Sequence, residues 1–110
     1  MQKITKETQE KIQQLQIFEQ NLQNLLLQKQ AFQFELSETE NALSEVGKTK
    51  DEVYKLIGQV MLKTSKSEIE KELNQKKDIL SLRVNAIEKQ ESQLKEEAEK
   101  IRQEVIKKVK

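Results

Sequence analysis

Side chains able to do covalent or acid–base chemistry are scarce in this chain. Its 110 residues include no histidine and no cysteine. That removes the commonest general base, the commonest metal ligand and the thiolate nucleophile together. No glycine-rich phosphate loop is present. Carboxylates are plentiful, but they alternate with lysines at helical spacing, as from Glu68 to Lys77 and from Glu96 to Lys100. Such runs read as solvated helix faces rather than acid/base pairs. No catalytic, cofactor or metal site is expected, and the chain reads as non-enzymatic. What remains is non-covalent chemistry: burial of apolar side chains and pairing of charges.

The elements that position those side chains follow from composition. Charged residues make up 35% of the chain, proline is absent and glycine occurs only at Gly47 and Gly58. The bulk is Glu, Lys, Gln and Leu, all good helix formers, so long helices or coiled coil are expected. A net charge of +1 creates no field to attract nucleic acid or an anionic membrane. No apolar run approaches the roughly 20 residues that span a bilayer. The start, MQKITKETQEK, is too polar for a signal peptide. The expectation is one domain over residues 1–110, cytoplasmic, with neither nucleic acid nor membrane as partner.

Two periodic segments flank an aperiodic insert. In the first, about 5–46, heptad a positions are Leu15, Leu22, Lys29, Leu36 and Leu43, and d positions are Phe18, Leu25, Phe32, Thr39 and Val46. In the second, about 67–108, d is Leu73, Leu80, Ile87, Leu94 and Ile101, while a is half polar: Glu70, Lys77, Val84, Glu91, Ala98 and Val105. Ser67-x-x-Glu70 is a capping-box pattern for the second helix, and Gly47 is a natural stop for the first. Equal lengths on either side of a short insert predict one helix folding back on the other. Counting from the fold-back sets Glu91 level with Phe18 to Leu25, and Lys77 level with Phe32 to Leu36. These polar seam residues read as register-setting.

The insert holds two short apolar runs, Val53–Ile57 and Val60–Thr64, around Gly58-Gln59, which is a β-hairpin pattern over about 53–64. Simple alternation groups Tyr54, Leu56, Val60 and Leu62 on one face, and Val53, Ile57 and Met61 on the other. Both faces are then apolar. An isolated hairpin is marginal in water and its edges recruit other strands. An obligate oligomer is expected, assembled through Val53, Tyr54, Leu56, Ile57, Gly58, Val60, Met61 and Leu62. The fold class is mainly α: a long antiparallel two-helix coiled coil with one β-hairpin between the helices, the hairpins joining into an oligomeric β-barrel.

The run Val53-Tyr54-Lys55-Leu56-Ile57-Gly58, continuing through Val60-Met61-Leu62-Lys63, resembles the central linker of the prefoldin family's beta-type subunits. The stretch from Leu82 to Glu91 is similar to that family's second helix. The resemblance covers essentially the whole chain, and room for a single hairpin favours the beta type over the alpha type. Where family members often carry a Pro-Asp type of turn, this chain has Gly47 to Glu52. The resemblance implies a hexamer of two alpha-type and four beta-type subunits whose hairpins build a double barrel. It also implies an ATP-independent holdase that grips unfolded client proteins at the coiled-coil tips and passes them to a group II chaperonin.

At the chain ends the seam is expected to fade, because Thr8, Lys11 and Lys108 stand at core positions. Splayed ends would expose Ile4, Ile12, Leu15, Ile101, Val105, Ile106 and Val109 as a client-binding surface. Arg102, Lys107, Lys108 and Lys110 form a basic end suited to docking an acidic chaperonin surface. Two rival classes remain. A tethering or structural coiled coil predicts a parallel dimer and gives residues 53–64 no role. A nucleic-acid-binding hairpin needs a basic stripe that two arginines do not provide.

Overall fold

The computed structural model describes residues 5–109; Ile4 and Lys110 therefore lie outside the described residues. The order of elements is α1 (Lys6–Lys48), β1 (Val53–Ile57), β2 (Val60–Thr64) and α2 (Lys66–Val109). The chain falls into two compact units. One combines α1 up to residue 30 with α2 from residue 85, and the other spans residues 31–84.

In the first unit the helices pack antiparallel. Glu7 pairs with Lys108, Lys11 with Glu104 and Lys29 with Glu91, so partners descend along α2 as α1 advances. Ile87 and Ala98 are buried, and Leu15, Phe18, Leu22, Leu25, Leu94, Ile101 and Val105 are half-buried. Every one stands at an a or d position, so heptad spacing decides which face leaves water. In the second unit Leu80 and Val84 are buried, while Phe32, Leu36, Leu43 and Val46 of α1 are half-buried. The Arg83 guanidinium lies 5.5 Å from the centroid of the Phe32 ring, a cation–π contact.

Polar residues in the seam are satisfied locally or across it. Thr39 Oγ1 donates to the Glu35 carbonyl at 2.8 Å. Lys29 Nζ donates to Glu91 Oε1 at 2.8 Å, and Glu91 retains only 8% of its exposure. Glu91 thus meets a residue about one turn beyond the Phe18–Leu25 level expected from counting. Side chains lean toward the N-terminus of their own helix. In an antiparallel pair, long side chains therefore meet when their Cα atoms are offset.

Both helix ends near the hairpin depart from the sequence expectation. The cap of α2 is Ser65, not Ser67: Ser65 Oγ accepts from the Glu68 amide at 3.1 Å, and the Ile69 amide donates to the Ser65 carbonyl. Strand β2 ends at Thr64, so the first residue free to cap is Ser65, and Ser65-x-x-Glu68 repeats the same spacing two residues earlier. Gly47 does not stop α1, which runs to Lys48, and only Gly58 has positive φ among the described residues. Lys66 Nζ instead donates to the carbonyls of Gly47 (3.1 Å) and Thr49 (3.4 Å). A cation there supplies both hydrogen bonds and charge for the end of the helix dipole.

The Lys29–Glu91 pair yields a double-mutant prediction. Lys29→Met alone strands a nearly buried carboxylate and should lower unfolding stability by about 1–3 kcal/mol. Lys29→Met with Glu91→Leu should restore stability to the starting level or above. Urea unfolding followed by circular dichroism reads both; an additive loss in the double variant would contradict the pairing.

Candidate functional site

Two surfaces carry the residues that the sequence points to for engaging other molecules: the hairpin, in the second unit, and the paired helix ends, in the first.

The hairpin is a two-stranded antiparallel sheet with Ile57 opposite Val60, Leu56 opposite Met61, Lys55 opposite Leu62, Tyr54 opposite Lys63 and Val53 opposite Thr64. Gly58 has φ of +60° and is followed by Gln59 without positive φ, the pattern of a type II′ turn. A two-residue turn pairs residues three apart, so odd-numbered positions face even-numbered ones. This corrects the expected faces. One face carries Val53, Lys55, Ile57, Val60, Leu62 and Thr64, and the other Tyr54, Leu56, Met61 and Lys63. The conclusion that both are apolar stands on the new grouping.

The first face leans on α2 at its base. Lys55 Nζ reaches the Glu72 carboxylate at 2.7 Å, and Val53, Lys55 and Thr64 are half-buried. Toward the turn, Ile57, Val60 and Leu62 are exposed. On the second face Leu56 and Met61 each keep 66% of their exposure. Glu52 organises the base of that face, accepting from Tyr54 Oη and from Lys63 Nζ, both at 2.7 Å. The Lys63 bond, then the Tyr54 bond, holds the Glu52 carboxyl below its ordinary value, and donation to that carboxylate pushes the Tyr54 phenol up. The polar groups are thus paired among themselves, and what the hairpin offers outward is aliphatic surface and two open strand edges.

The helix ends do not fade. Thr5 caps α1, its Oγ1 accepting from the Thr8 amide at 3.1 Å and sharing a 2.9 Å hydrogen bond with the Thr8 hydroxyl. Thr8 is 2% exposed. Lys11 Nζ lies 2.7 Å from Glu104 and 3.5 Å from Glu7, and Lys108 lies 2.9 Å from Glu7. Lysines that look like breaks in the seam are the cations of a four-membered cross-helix network. The Lys108 bond holds the Glu7 carboxyl below its ordinary value, and the Lys11 bond does the same for Glu104. Hydrogen bonding to Glu104 raises Lys11.

Around this network Ile12, Leu15, Ile101 and Val105 are half-buried, while Ile106 and Val109 are exposed. Of the basic residues, Arg102 binds Glu99 at 2.6 Å and approaches Glu19 at 3.9 Å, and Lys108 is committed to Glu7. Lys107 is exposed. Exposed apolar residues also occur where heptad reading assigned none: Ile17, Leu27, Phe34, Ile79 and Leu82. All stand at outward b, c or f positions, which was the available signal. Among the described residues no group of three or more His, Cys, Asp or Glu is arranged to hold a metal ion, and no helix is long and apolar enough to cross a membrane.

The prefoldin subunit family model matches residues 9–110. The chain belongs to the prefoldin family. It is 36% identical to the prefoldin subunit beta of Thermococcus onnurineus, over 96% of this chain and 92% of that relative. Prefoldin subunit beta of Pyrococcus furiosus is 35% identical with the same coverage. Among solved structures, the prefoldin beta subunit from Thermococcus strain KS-1 superposes with a TM-score of 0.91 at 36% identity, covering 96% of this chain and 94% of that one. The prefoldin beta2 subunit from the same strain shares the fold, with a TM-score of 0.71 at 17% identity over 79% of this chain. The expected prefoldin resemblance, and the mainly helical fold with one hairpin between two helices, are what this prefoldin-family chain has.

The ion network gives the helix ends a pH signature. The unfolded chain takes up protons near the ordinary glutamate value of about 4.3, whereas folded Glu7 and Glu104 resist protonation. Their contribution is therefore complete above that value and is lost as pH falls through the lowered folded values. Backbone chemical shifts of residues 6–12 and 101–108 should report helix at pH 7 and fraying at pH 3. In Glu7→Gln with Glu104→Gln, that pH dependence should disappear. Identical shifts for the parent chain at both pH values would contradict the network.

Proposed function

We propose that this chain is a beta-type prefoldin subunit acting as an ATP-independent holdase, without enzymatic activity, in the cytoplasm. It assembles with alpha-type subunits, four copies to two. Hairpin pairing through Leu56, Ile57, Val60, Met61 and Leu62 closes the open strand edges into a barrel. The helix ends hold non-native proteins, which pass to a group II chaperonin.

The observation that carries this reading is the hairpin: both faces are apolar, both edges are open, and all of its large apolar side chains except Val53 are at least 47% exposed. A tethering coiled coil has no use for such an element. The helix ends support client binding of a particular kind. They are closed by ion pairs, so exposed Ile106 and Val109 with half-buried Ile12 and Val105 offer a small apolar surface rimmed by charge. A client segment burying about 200 Å² there gains roughly 5 kcal/mol gross, much of it returned as ordering and association costs. Each end binds weakly, and several ends on one assembly hold a client through effective concentration. Arg102 and Lys108, already paired, contribute little free charge to chaperonin docking, which leaves Lys107 as the available described cation.

Ile106→Lys with Val109→Lys tests the client surface. Assembled with an alpha-type subunit, the variant should retain its mass and lose most of its suppression of light scattering by a guanidinium-unfolded protein diluted without ATP. Undiminished suppression would remove the helix ends from client binding.

A further inference from the structure

From Ile12 to Gln28, seventeen residues of a chain that is 35% charged, the only charged side chain is Glu19. Glu19 stands at an e position and is turned toward Arg102 of α2. The opposite flank of the same coiled-coil segment carries no ion pair. Positions flanking a coiled-coil seam ordinarily hold interhelical Glu–Lys pairs. Here a groove runs between the helices, lined by five carboxamides: Asn21, Asn24 and Gln28 of α1, and Gln90 and Gln93 of α2. Its floor is Leu25 and Leu94, both half-buried, and the one charge on its wall is Glu97. All five carboxamides are exposed, and among the described residues none is tied up in a side-chain hydrogen bond of the kind that joins Gln103 to Glu99.

A carboxamide offers two N–H donors and a carbonyl acceptor without charge, so it can pair with both the C=O and the single N–H of a peptide group. Five of them beside an aliphatic floor match an extended main chain whatever its side chains. They match poorly the alternative occupant, a second copy of this chain. A stable interface buries about 800 Å² on each partner and relies on aromatic or arginine anchors, and this flank presents neither. We infer that the carboxamide groove is a second client site, one that binds an extended non-native polypeptide through its main chain rather than its apolar side chains. The inference rests on the holdase reading and extends it: the helix ends select apolar segments, and the groove accepts uncharged extended chain of any sequence.

The test uses the full chain, a short fluorescein-labelled uncharged peptide of alanine, threonine and leucine, and the same peptide N-methylated at alternate residues. Anisotropy should report binding of the first and about tenfold weaker binding of the second, since the lost donors leave groove acceptors unpaired. The near-isosteric variant Asn24→Asp, Gln28→Glu and Gln93→Glu, with helicity checked by circular dichroism, should weaken the unmethylated peptide by a similar factor. It should leave the helix-end contribution to aggregation suppression in place. Equal binding of both peptides, or of parent and variant, overturns the groove proposal while suppression by the parent chain keeps the holdase reading. Failure of the parent chain to suppress aggregation at all overturns both. A change in the mass of the chain alone on making the variant, without a change in peptide binding, identifies the groove as a contact between copies and overturns the proposal.

Discussion

A strand pair with aliphatic side chains on both faces and hydrogen-bonding groups free along both edges is not completed by the other described elements of its chain, which are two helices. Only the base of one face, through Val53, Lys55 and Thr64, leans on a helix. The rest needs other strands beside it and other side chains across it. Much else follows from this constraint. Glu52 gathers Tyr54 and Lys63 so that the polar groups at the base are paired. Ser65 and Lys66 close the helix termini that flank the hairpin using groups outside the strands. The hairpin's outer apolar side chains and both strand edges are thereby left exposed.

The helices answer a different requirement, which is to stay paired without a large core. Among the described residues only Leu80, Val84, Ile87 and Ala98 are buried apolar side chains, so polar seam positions have to be satisfied rather than merely tolerated. Thr8, Thr39 and Glu91 are buried and each finds a partner. The Lys29–Glu91 pair adds little net stability by comparison with an apolar pair. It does penalise shifted registers, in which one charge would be left alone in the seam.

Long-period features were legible in the sequence. Heptad positions from Leu15 to Val46 and from Leu73 to Val105 name the residues that leave water, because burial in a coiled coil follows spacing alone. The hairpin was legible from two strand-forming runs around Gly58. Features set by pairing between distant residues were not. The faces of the hairpin depend on the turn having two residues, which reverses the parity that simple alternation suggests. Lys11 and Lys108 look like breaks in the seam until Glu104 and Glu7 are placed beside them. The carboxamide groove needs two helices in register before Asn21, Gln28 and Gln90 line one flank. The cap at Ser65 was missed because Ser67-x-x-Glu70 has the same spacing as Ser65-x-x-Glu68.

The central claim is that the hairpin, not the helices, makes this chain a subunit. The most direct measurement is the mass, by light scattering after size exclusion, of the chain mixed with an alpha-type prefoldin subunit, before and after Leu56→Lys with Met61→Lys. The account predicts a species of four copies with two partners for the parent chain. It predicts separate, smaller species for the variant at unchanged helix content. A hexamer that survives both substitutions, or a stable dimer that ignores the partner, would contradict it.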